Sequence, residues 1–484
     1  MTDYITTIGL EVHVQLKTRS KMFCSCAVEY GAEPNTNVCP VCMGMPGALP
    51  VMNEEALKLT ALAGLMLGCE IGPVCKFDRK NYFYPDMPKN YQISQYDMPL
   101  CLGGIVPLHD LAYPKDAQKS IGTPNKNMRL VRIHLEEDVA KSFHMETATG
   151  IDYNRAGTPL MEIVGEPDIS TPEEAFAYLT VLQQVMIYGG ISDADMEKGQ
   201  LRCDVNVSVR PVGTDKYGTK IEIKNLNSIS GVRRALIFEI PRQVEILRNG
   251  GTLQQETRRW DDVRGETTLM RIKESAHDYR YFPDPDLLPL EIEQAWVDDI
   301  AASLPELPDD KKARFMGDFG LSDYDASVLT AEVANAAYFE KVAEGRDGKL
   351  AANWVINELF GRLKKDDKEI TESPISAARL AQIVALIKSD AISGKIAKDV
   401  FDIAYTQDRD PEEIVETEGM KQVTDTGAIE AAVDEIIAAN PDQVEKAKAN
   451  PKLAGWFVGQ VMKSTGGKAN PAMVNQLVAA KLGL

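Results

Sequence analysis

Two stretches of strict alternation between apolar and polar residues constrain the fold of this chain most. In residues 8–16 and 201–210, every second residue is aliphatic or cysteine, and those between are small or polar. Side chains of a β-strand point alternately to opposite faces, so each stretch predicts a strand with one buried and one polar face. A loop containing Gly213 and Gly218 joins the second stretch to residues 221–224, which predicts an antiparallel pair.

Helix signals interrupt this predicted sheet. Thr171 can cap a helix, Pro172 suits its first position and Glu174 can complete a capping box, while the pair at 189–190 is Gly-Gly and ends the apolar pattern. Asn53 opens a second helix in the same way. Strands mixed with such helices predict an α+β class with a largely antiparallel sheet.

Proline-rich runs predict a linker near residues 290–310. Residues 283–286 read Pro-Asp-Pro-Asp and residues 304–308 read Leu-Pro-Glu-Leu-Pro, and prolines at this density interrupt helices and ladders. Beyond them the sequence is rich in alanine. Residues 378–387 have helical apolar spacing, and residues 390–394 predict a link before the last helices.

Length and charge narrow the functional classes. A chain of 484 residues predicts two to four domains. The net charge of −19 argues against a surface covered in basic residues for nucleic acid. A local basic patch stays open, because six lysines and no acidic residue follow Glu445, although a solvated helical face explains them equally well. Without a membrane-length apolar run or a signal-peptide pattern, we expect a cytoplasmic protein without membrane attachment.

Four of the eight cysteines form a cluster with metal-ligand spacing. Cys24, Cys26, Cys39 and Cys42 follow the pattern C-x-C-x12-C-x-x-C, with Pro40 and Gly44 suited to a tight knuckle. Two thiolate pairs can complete a tetrahedral zinc site, and four cysteine ligands leave no open position, so the predicted site is structural. The alternatives are ordinary free cysteines or, less well supported, a redox pair.

Acidic residues accumulate on the polar faces of the predicted strands. Glu11 and His13 lie on the first strand, Asp204 and Glu222 on later ones, and residues 134–138 read His-Leu-Glu-Glu-Asp at a strand end. Alternation places Glu136 beside His134, whereas one bulge would bring Glu137 in instead. Converging carboxylates repel each other unless a hard divalent ion with phosphate ligands joins them. Taken singly, each is better explained as a solvent-facing residue of an amphipathic strand.

Three predicted loops are dense in basic, aromatic and amide residues, namely 76–86, 152–162 and 278–284. Arg and Lys there can hold phosphate or carboxylate, and Tyr can stack on a base, although ordinary interfaces have the same composition. The sequence contains neither a P-loop nor a G-x-G-x-x-G motif, and no Gly/Ser-rich amidase segment with a serine nucleophile.

Together these segments resemble the GatB family, the B subunits of tRNA-dependent amidotransferases. The resemblance rests on IGLEVHVQL, the four-cysteine knuckle, KFDRKNYFYPD, HLEEDVAK, DYNRAGTPLMEIV, RCDVNVSVRP, KIEIKNLNSI and AHDYRYFPDPD, and it continues through NWVINEL, ISGKIAKDVF and NPAMVNQLVAAKL. It covers nearly the whole chain. The related archaeal E subunit carries an inserted domain for which this chain has no room.

The resemblance implies a fold of three parts. Residues 1–293 would form an antiparallel-sheet cradle related to glutamine synthetase, residues 294–405 an all-α helical domain, and residues 406–484 a small helical YqeY-like tail that grips tRNA. It also implies the site residues. Glu11, His13, Asp204, Glu222 and one of Glu136 or Glu137 would hold catalytic Mg²⁺. The four cysteines would hold Zn²⁺, and Lys80, Asn81 and Tyr82 would contact ATP or the aminoacyl end.

The implied reaction is ATP-dependent amidation of Glu-tRNA(Gln) or Asp-tRNA(Asn). The tRNA-bound carboxylate would be phosphorylated and ammonia would displace the phosphate, which is sensible because a carboxylate is a poor acyl donor. Ammonia would come from glutamine hydrolysed on an A subunit, with a C subunit completing a heterotrimer. The competing hypothesis is a non-catalytic, zinc-stabilised RNA-binding or assembly subunit.

Overall fold

The computed structural model describes residues 3–272, 279–422, 426–466 and 469–484. The chain divides into two compact units, Met1–Leu307 and Pro308–Leu484. Strands of the first unit are β1 (Tyr4–Gln15), β2 (Glu70–Ile71), β3 (Val74–Cys75), β4 (Asp78–Asn81), β5 (Tyr91–Ser94), β6 (Cys101–Leu102), β7 (Ile105–Leu108), β8 (Lys126–Glu137), β9 (Lys141–His144), β10 (Thr149–Asp152), β11 (Pro159–Gly165), β12 (Leu201–Pro211), β13 (Ile221–Lys224), β14 (Glu256–Asp261), β15 (Glu266–Ile272), β16 (Phe282–Pro283) and β17 (Leu290–Glu291). Its helices are α1 (Glu54–Met66), α2 (Pro172–Tyr188), α3 (Ile229–Arg248) and α4 (Gln294–Ala302).

One large, mainly antiparallel sheet organises the first unit. Its strands run in the order β15-β14-β13-β12-β1-β11-β8-β5-β4-β16, with β2, β6 and β7 joined at the side. Only the β13–β14 pair is parallel among the pairings described for this sheet. The predicted alternation is confirmed, because Ile8, Leu10, Val12 and Val14 of β1 are at most 1% exposed. The predicted antiparallel pair of β12 and β13 is also confirmed. This mixed α/β unit agrees with the predicted class.

Helices cover the buried face and begin where their capping residues predict. Asn53 caps α1. Thr171 caps α2, and its side chain accepts a hydrogen bond from the backbone N–H of Glu174. The predicted capping box differs in one contact. The Glu174 carboxylate accepts from the N–H of Ser170, 2.8 Å away, instead of the N–H of Thr171, and also pairs with Lys126. The reason is the exposed cation on β8, which draws the carboxylate away from the cap residue.

Helices make up the second unit, around two separate apolar clusters. They are α5 (Pro308–Asp318), α6 (Asp323–Thr330), α7 (Val333–Ala343), α8 (Gly348–Asn353), α9 (Phe360–Lys365), α10 (Ala377–Lys388), α11 (Gly394–Gln407), α12 (Pro411–Thr417), α13 (Thr426–Ala439), α14 (Pro441–Ala449), α15 (Ala454–Ser464) and α16 (Pro471–Leu482), with a π-helical segment over Trp354–Leu359. One cluster includes Phe315 through Val415 and the other Ile429 through Leu482. The predicted helix at 378–387 and the link at 390–394 are confirmed.

The first proline-rich run is not a linker. Asp284 is 2% exposed, its N–H donates to the carbonyl of Phe77, and its carboxylate lies 2.8 Å from Nε of Arg79. The run therefore packs against β4, because a buried ion pair and pairing of two residues with β4 outweigh the backbone N–H groups that proline lacks.

In the described part of the chain, no helix combines the length and the apolar character needed to cross a bilayer.

Candidate functional site

The polar side of the large sheet gathers side chains from seven neighbouring strands. Cross-strand pairing places Ser94 opposite Glu136, His134 opposite Glu162, and Glu162 opposite His13. Directly paired residues share a face of the sheet. From β4 to β13 this face carries Lys80, Ser94, Glu136, His134, Glu162, His13, Glu11, Arg202, Asp204, Glu222 and Lys224. We call this surface the charged face.

At its centre, His13, Glu136 and Glu162 present ligand atoms to one point. Nε2 of His13 lies 3.7 Å from Glu136 Oε1 and 3.4 Å from Glu162 Oε2, and the three ligand atoms all lie within 4.8 Å of one another. A second histidine contacts the same carboxylate, because Nε2 of His134 lies 3.4 Å from Glu162 Oε2. Adjacent oxygens around octahedral Mg²⁺ stand about 3 Å apart. The distances of 3.4 and 3.7 Å from His13 Nε2 to the two carboxylates are close to this spacing, so the trio fits a divalent ion.

Electrostatics lower the pKa of Glu162 but raise the pKa of Glu11. Burial opposes ionisation of Glu162, yet hydrogen bonds with His13 and His134 outweigh it and hold the pKa of Glu162 well below its usual range. Burial would lower the pKa of His13, but Glu162 and Glu136 raise it on balance. Burial and the charges of Glu162 and Asp204 raise the pKa of Glu11. The cluster therefore holds negative charge that a cation would stabilise.

The remaining predicted carboxylates extend the charged face toward β13. Glu11 accepts a hydrogen bond of 2.9 Å from Asn206. Lys224 pairs with Asp204 and lies 3.6 Å from Glu222, whose carboxylate also accepts a 2.7 Å bond from Thr257. The structure thus brings Glu11, Asp204 and Glu222 onto one surface, bridged by a lysine rather than converging on one point.

Glu136 and Glu137 occupy opposite faces of β8. Pairing with β11 continues without a register shift over these two residues, so alternation is kept. Glu136 joins the charged face. Glu137 is 1% exposed, both of its oxygens lie 2.5 Å from Nζ of Lys89, and it accepts from the N–H of Ile93. Of the two candidates, only Glu136 therefore lies with His13.

Lys80, Asn81 and Tyr82 lie at the β4 end of the charged face. Nζ of Lys80 is 5.1 Å from the ring centroid of Tyr279. Burial alone would lower the pKa of Lys80, but nearby Glu136 and other acidic groups raise it. Asn81 donates to the carbonyls of residues 279 and 280, and Tyr82 stacks on Tyr84 with centroids 5.9 Å apart. Of the three, Lys80 therefore faces the carboxylates. Asp278 of the neighbouring aromatic segment lies outside the described residues.

The four-cysteine cluster is assembled by a tight knuckle. All four Sγ atoms lie within 4.8 Å of one another, and the Sγ atoms of Cys39 and Cys42 are 3.9 Å apart. Tetrahedral zinc with Zn–S bonds of about 2.3 Å separates its sulfurs by about 3.8 Å. Gly44 has φ +66°, and its N–H donates to the carbonyl of Val41. Hydrogen bonding with Cys24 lowers the pKa of the Cys42 thiol. The cluster fits a structural metal.

A cavity of about 660 Å³ opens beside the charged face. Gln15, Arg155 and Arg202 contribute to its wall. Nη2 of Arg202 lies 2.8 Å from the carboxylate of Asp138, but neither Nη2 nor Nε makes a hydrogen bond among the described residues. This guanidinium is therefore held by charge beside Asp138 and keeps donors that could bind an anion.

Comparison with known proteins identifies the family. A model described as the GatB/GatE catalytic domain matches residues 6–298, and one described as the GatB domain matches residues 337–482. The chain belongs to the GatB family. It is 61% identical over 495 residues to the B subunit of the aspartyl/glutamyl-tRNA(Asn/Gln) amidotransferase of Dinoroseobacter shibae, with 99% of this chain and 96% of that protein covered. Proteins of the same name from Roseobacter denitrificans and Ruegeria pomeroyi are 60% and 59% identical over the same shares of both chains.

Sequence reasoning missed five side chains of the charged face in this GatB-family chain. Those absent from the functional residues that the sequence predicts are Ser94, His134, Glu162, Arg202 and Lys224. Glu162 belongs to β11, whereas the composition of residues 152–162 predicts a loop. A lone acidic residue between the apolar Met161 and Ile163 was the available signal, because a glutamate inside a buried strand needs a partner.

The lysines of the tail are only partly free to form a basic patch. Lys481 pairs with Glu430 and Asp434 of α13 at 2.7 and 3.0 Å. Lys446 and Lys463 are exposed, as is Lys448, which lies 3.9 Å from Glu445. Lys468 and the side chain of Lys452 lie outside the described part of the tail.

Proposed function

We propose that this chain is the B subunit of a tRNA-dependent amidotransferase. Its reaction uses ATP to phosphorylate the side-chain carboxylate of Glu-tRNA(Gln), Asp-tRNA(Asn) or both. A carboxylate oxygen attacks the γ-phosphorus and ADP leaves. Ammonia then attacks the acyl carbon of the acyl phosphate, inorganic phosphate leaves, and Gln-tRNA(Gln) or Asn-tRNA(Asn) is formed.

One observation carries this proposal. His13, Glu136 and Glu162 bring ligand atoms within 4.8 Å of one another on the charged face, and Lys80 and Arg202 supply positive charge near the same carboxylates. A site for phosphoryl transfer needs this combination of anionic ligands for a metal and fixed cations for phosphate oxygens. Bound Mg²⁺ would neutralise the phosphoryl oxygens and bridge them to the protein.

The protein's own side chains then have separate roles. Arg202, paired with Asp138 by charge, would donate a free N–H to a phosphoryl oxygen. Lys80, set against the carboxylates, would hold a second oxygen, with Asn81 and Tyr82 near the ATP or the aminoacyl end. Lys224 would keep Asp204 and Glu222 apart from the metal until substrate binds. Glu11 belongs to the same metal-and-nucleotide site.

The proposal extends to domains and partners. Residues 1–293 would form a cradle related to glutamine synthetase, residues 294–405 a helical domain, and residues 406–484 a YqeY-like tail that binds tRNA. The cysteine cluster would hold structural Zn²⁺. An A subunit would hydrolyse glutamine and pass on ammonia, and a C subunit would complete the heterotrimer in the cytoplasm.

ADP release by the reconstituted complex tests the proposal. Ammonia is supplied directly, so glutamine hydrolysis is not needed. We compare the parent with Glu136→Gln, Glu162→Gln and Asp204→Ala, and use Glu70→Gln, an exposed carboxylate of β2, as the matched control. We expect ADP release to require charged tRNA, to collapse in the first three variants and to stay unchanged in the control.

The competing function gives a different result. A zinc-stabilised RNA-binding or assembly subunit would keep full ATP-dependent turnover in all four variants. The buried carboxylates of the charged face disfavour that function, because uncompensated acidic groups would repel RNA phosphates. Normal ADP release in the Glu136→Gln and Glu162→Gln complexes would overturn the catalytic assignment.

A further inference from the structure

Lys21 is a fully buried cation beside the cysteine cluster. Lys21 is 0% exposed to solvent. Nζ lies 2.8 Å from the carbonyl oxygen of Asn37, 3.2 Å from that of Tyr153 and 3.6 Å from Sγ of Cys42. The side chain therefore ends inside the protein, between the knuckle and the loop before β11.

No carboxylate in the described ranges lies within ion-pairing distance of this ammonium. Two carbonyl oxygens satisfy two of its three donors, but they carry no net charge. A buried ammonium without a counter-charge is strongly disfavoured. Its third contact is with Sγ of Cys42, 3.6 Å from Nζ. This ammonium therefore lies against one of the four sulfurs of the cysteine cluster.

Bound zinc would place negative charge beside this ammonium. Zinc with four cysteine thiolates carries a net charge of −2, which itself needs compensation in a partly buried site. We propose that Lys21 is the positioning residue and built-in counter-cation of the cysteine cluster, so that the ammonium and the metal-bound thiolates stabilise each other. This inference rests on the proposed structural zinc.

The same contact ties the metal to the charged face. The Tyr153 carbonyl that accepts from Lys21 belongs to the turn before β11. Met22, which follows Lys21 in the chain, donates its N–H to the carbonyl of Gly157 at 2.7 Å. A Cβ added at Gly157 would be in van der Waals contact with the Lys21 side chain, 3.5 Å from its Cδ. The strand that carries Glu162 begins two residues later. Zinc would therefore brace the start of β11 through Lys21.

Zinc release to a coloured chelator tests the inference on the full-length chain. We compare the parent with Lys21→Met, which keeps the length and removes the charge, and with Lys21→Arg, which keeps the charge. Lys17→Met is the matched control, because Lys17 is exposed on the same segment and pairs with Asp193. Loss of a group that supports metal ligands typically weakens metal binding by about 10- to 100-fold. We expect release from Lys21→Met to be faster on that scale, with Lys17→Met like the parent and Lys21→Arg between them.

Thermal unfolding with and without chelator gives a second readout. Chelation should lower the melting temperature of the parent more than that of Lys21→Met, because only the parent is left with an uncompensated buried ammonium. If Lys21→Met is not recovered folded, Lys21→Gln, which keeps a donor for the Asn37 carbonyl, serves for the same comparison.

The outcomes separate the two proposals. Parent protein purified without zinc would overturn the zinc site and the role of Lys21 together. Zinc present in the parent and released at the same rate from the folded Lys21 variants would overturn the role of Lys21 alone. Either result leaves the ADP-release test of the charged face independent.

Discussion

Exchanging Glu136 and Glu137 separately for glutamine should separate catalysis from stability. The two residues are adjacent on β8, are both at most 2% exposed and would be changed by the same chemical substitution. Glu137 is paired with Lys89 under the sheet, whereas Glu136 faces His13. We expect Glu137→Gln to lower stability and Glu136→Gln to abolish metal-dependent ADP release while leaving stability nearly unchanged.

The size of the stability loss follows from the buried ion pair. The side chains of Lys89 and Glu137 are 9% and 2% exposed, so the ammonium left behind has little access to water. Removing one partner of such a pair costs about 3 to 5 kcal/mol. With an unfolding entropy of about 2.1 cal/mol/K per residue over Met1–Leu307, that cost lowers the melting temperature by about 5 to 8 °C.

Calorimetry of the full-length chain measures this difference directly. Glu136→Gln should melt within about 1 °C of the parent, because it also removes repulsion from Glu162. The double variant Lys89→Met/Glu137→Gln should recover part of the loss, since no unpaired charge remains. Equal melting temperatures for Glu137→Gln and the parent would refute the reasoning, as would full ADP release by Glu136→Gln.

Three further changes test other parts of the structure. Glu162→Gln should lower ADP release by more than about 100-fold, since losing outer groups around a metal already costs about 10- to 100-fold; steady-state assays with increasing Mg²⁺ check this. Lys224→Met removes the cation that pairs with the carboxylates of Asp204 and Glu222, and their repulsion of ATP should raise its KM by about tenfold or more, the scale of one hydrogen bond to a charged group, with little change in melting temperature. A chain ending at Gln422 removes the apolar cluster of Ile429 through Leu482 as a whole, so tRNA affinity measured at several salt concentrations should fall while ADP release at saturating tRNA persists. Retained affinity in that chain would contradict a role of the tail in tRNA binding.

Local periodicity was enough to predict the strands that carry part of the site. Alternation in β1 and β12 fixed which residues of each strand share a face, so Glu11, His13 and Asp204 were predicted on one polar surface, where the structure also places them. Capping residues likewise located the starts of α1 and α2. These features depend on neighbouring residues alone, which is why the sequence contains them.

Long-range partners could not be predicted in this way. Glu137 differs from Glu136 through Lys89, 48 residues away, and Lys21 meets the carbonyl of Tyr153 across 132 residues. β11 was obscured because it is short and mostly apolar, so it lacks the alternation that marked β1. The acidic run at 283–286 looked like a linker because its partner, Arg79, lies 205 residues away.

Charge on the charged face shows how an acidic protein can act on phosphate-bearing substrates. Lys80, Arg202 and Lys224 stand among the carboxylates of Glu11, Glu136, Glu162, Asp204 and Glu222, while buried Asp138 is matched by nearby Arg155. Arg132 on the same face donates to the ring of His134, and Lys220 acts electrostatically on Glu11, so cations are interspersed with the carboxylates along this surface. A phosphate bound to a divalent cation at His13, Glu136 and Glu162 would then meet fixed lysine and arginine donors as well as carboxylates. The net charge of −19 is therefore compatible with a phosphoryl-transfer site, because the charges nearest the substrate are paired locally.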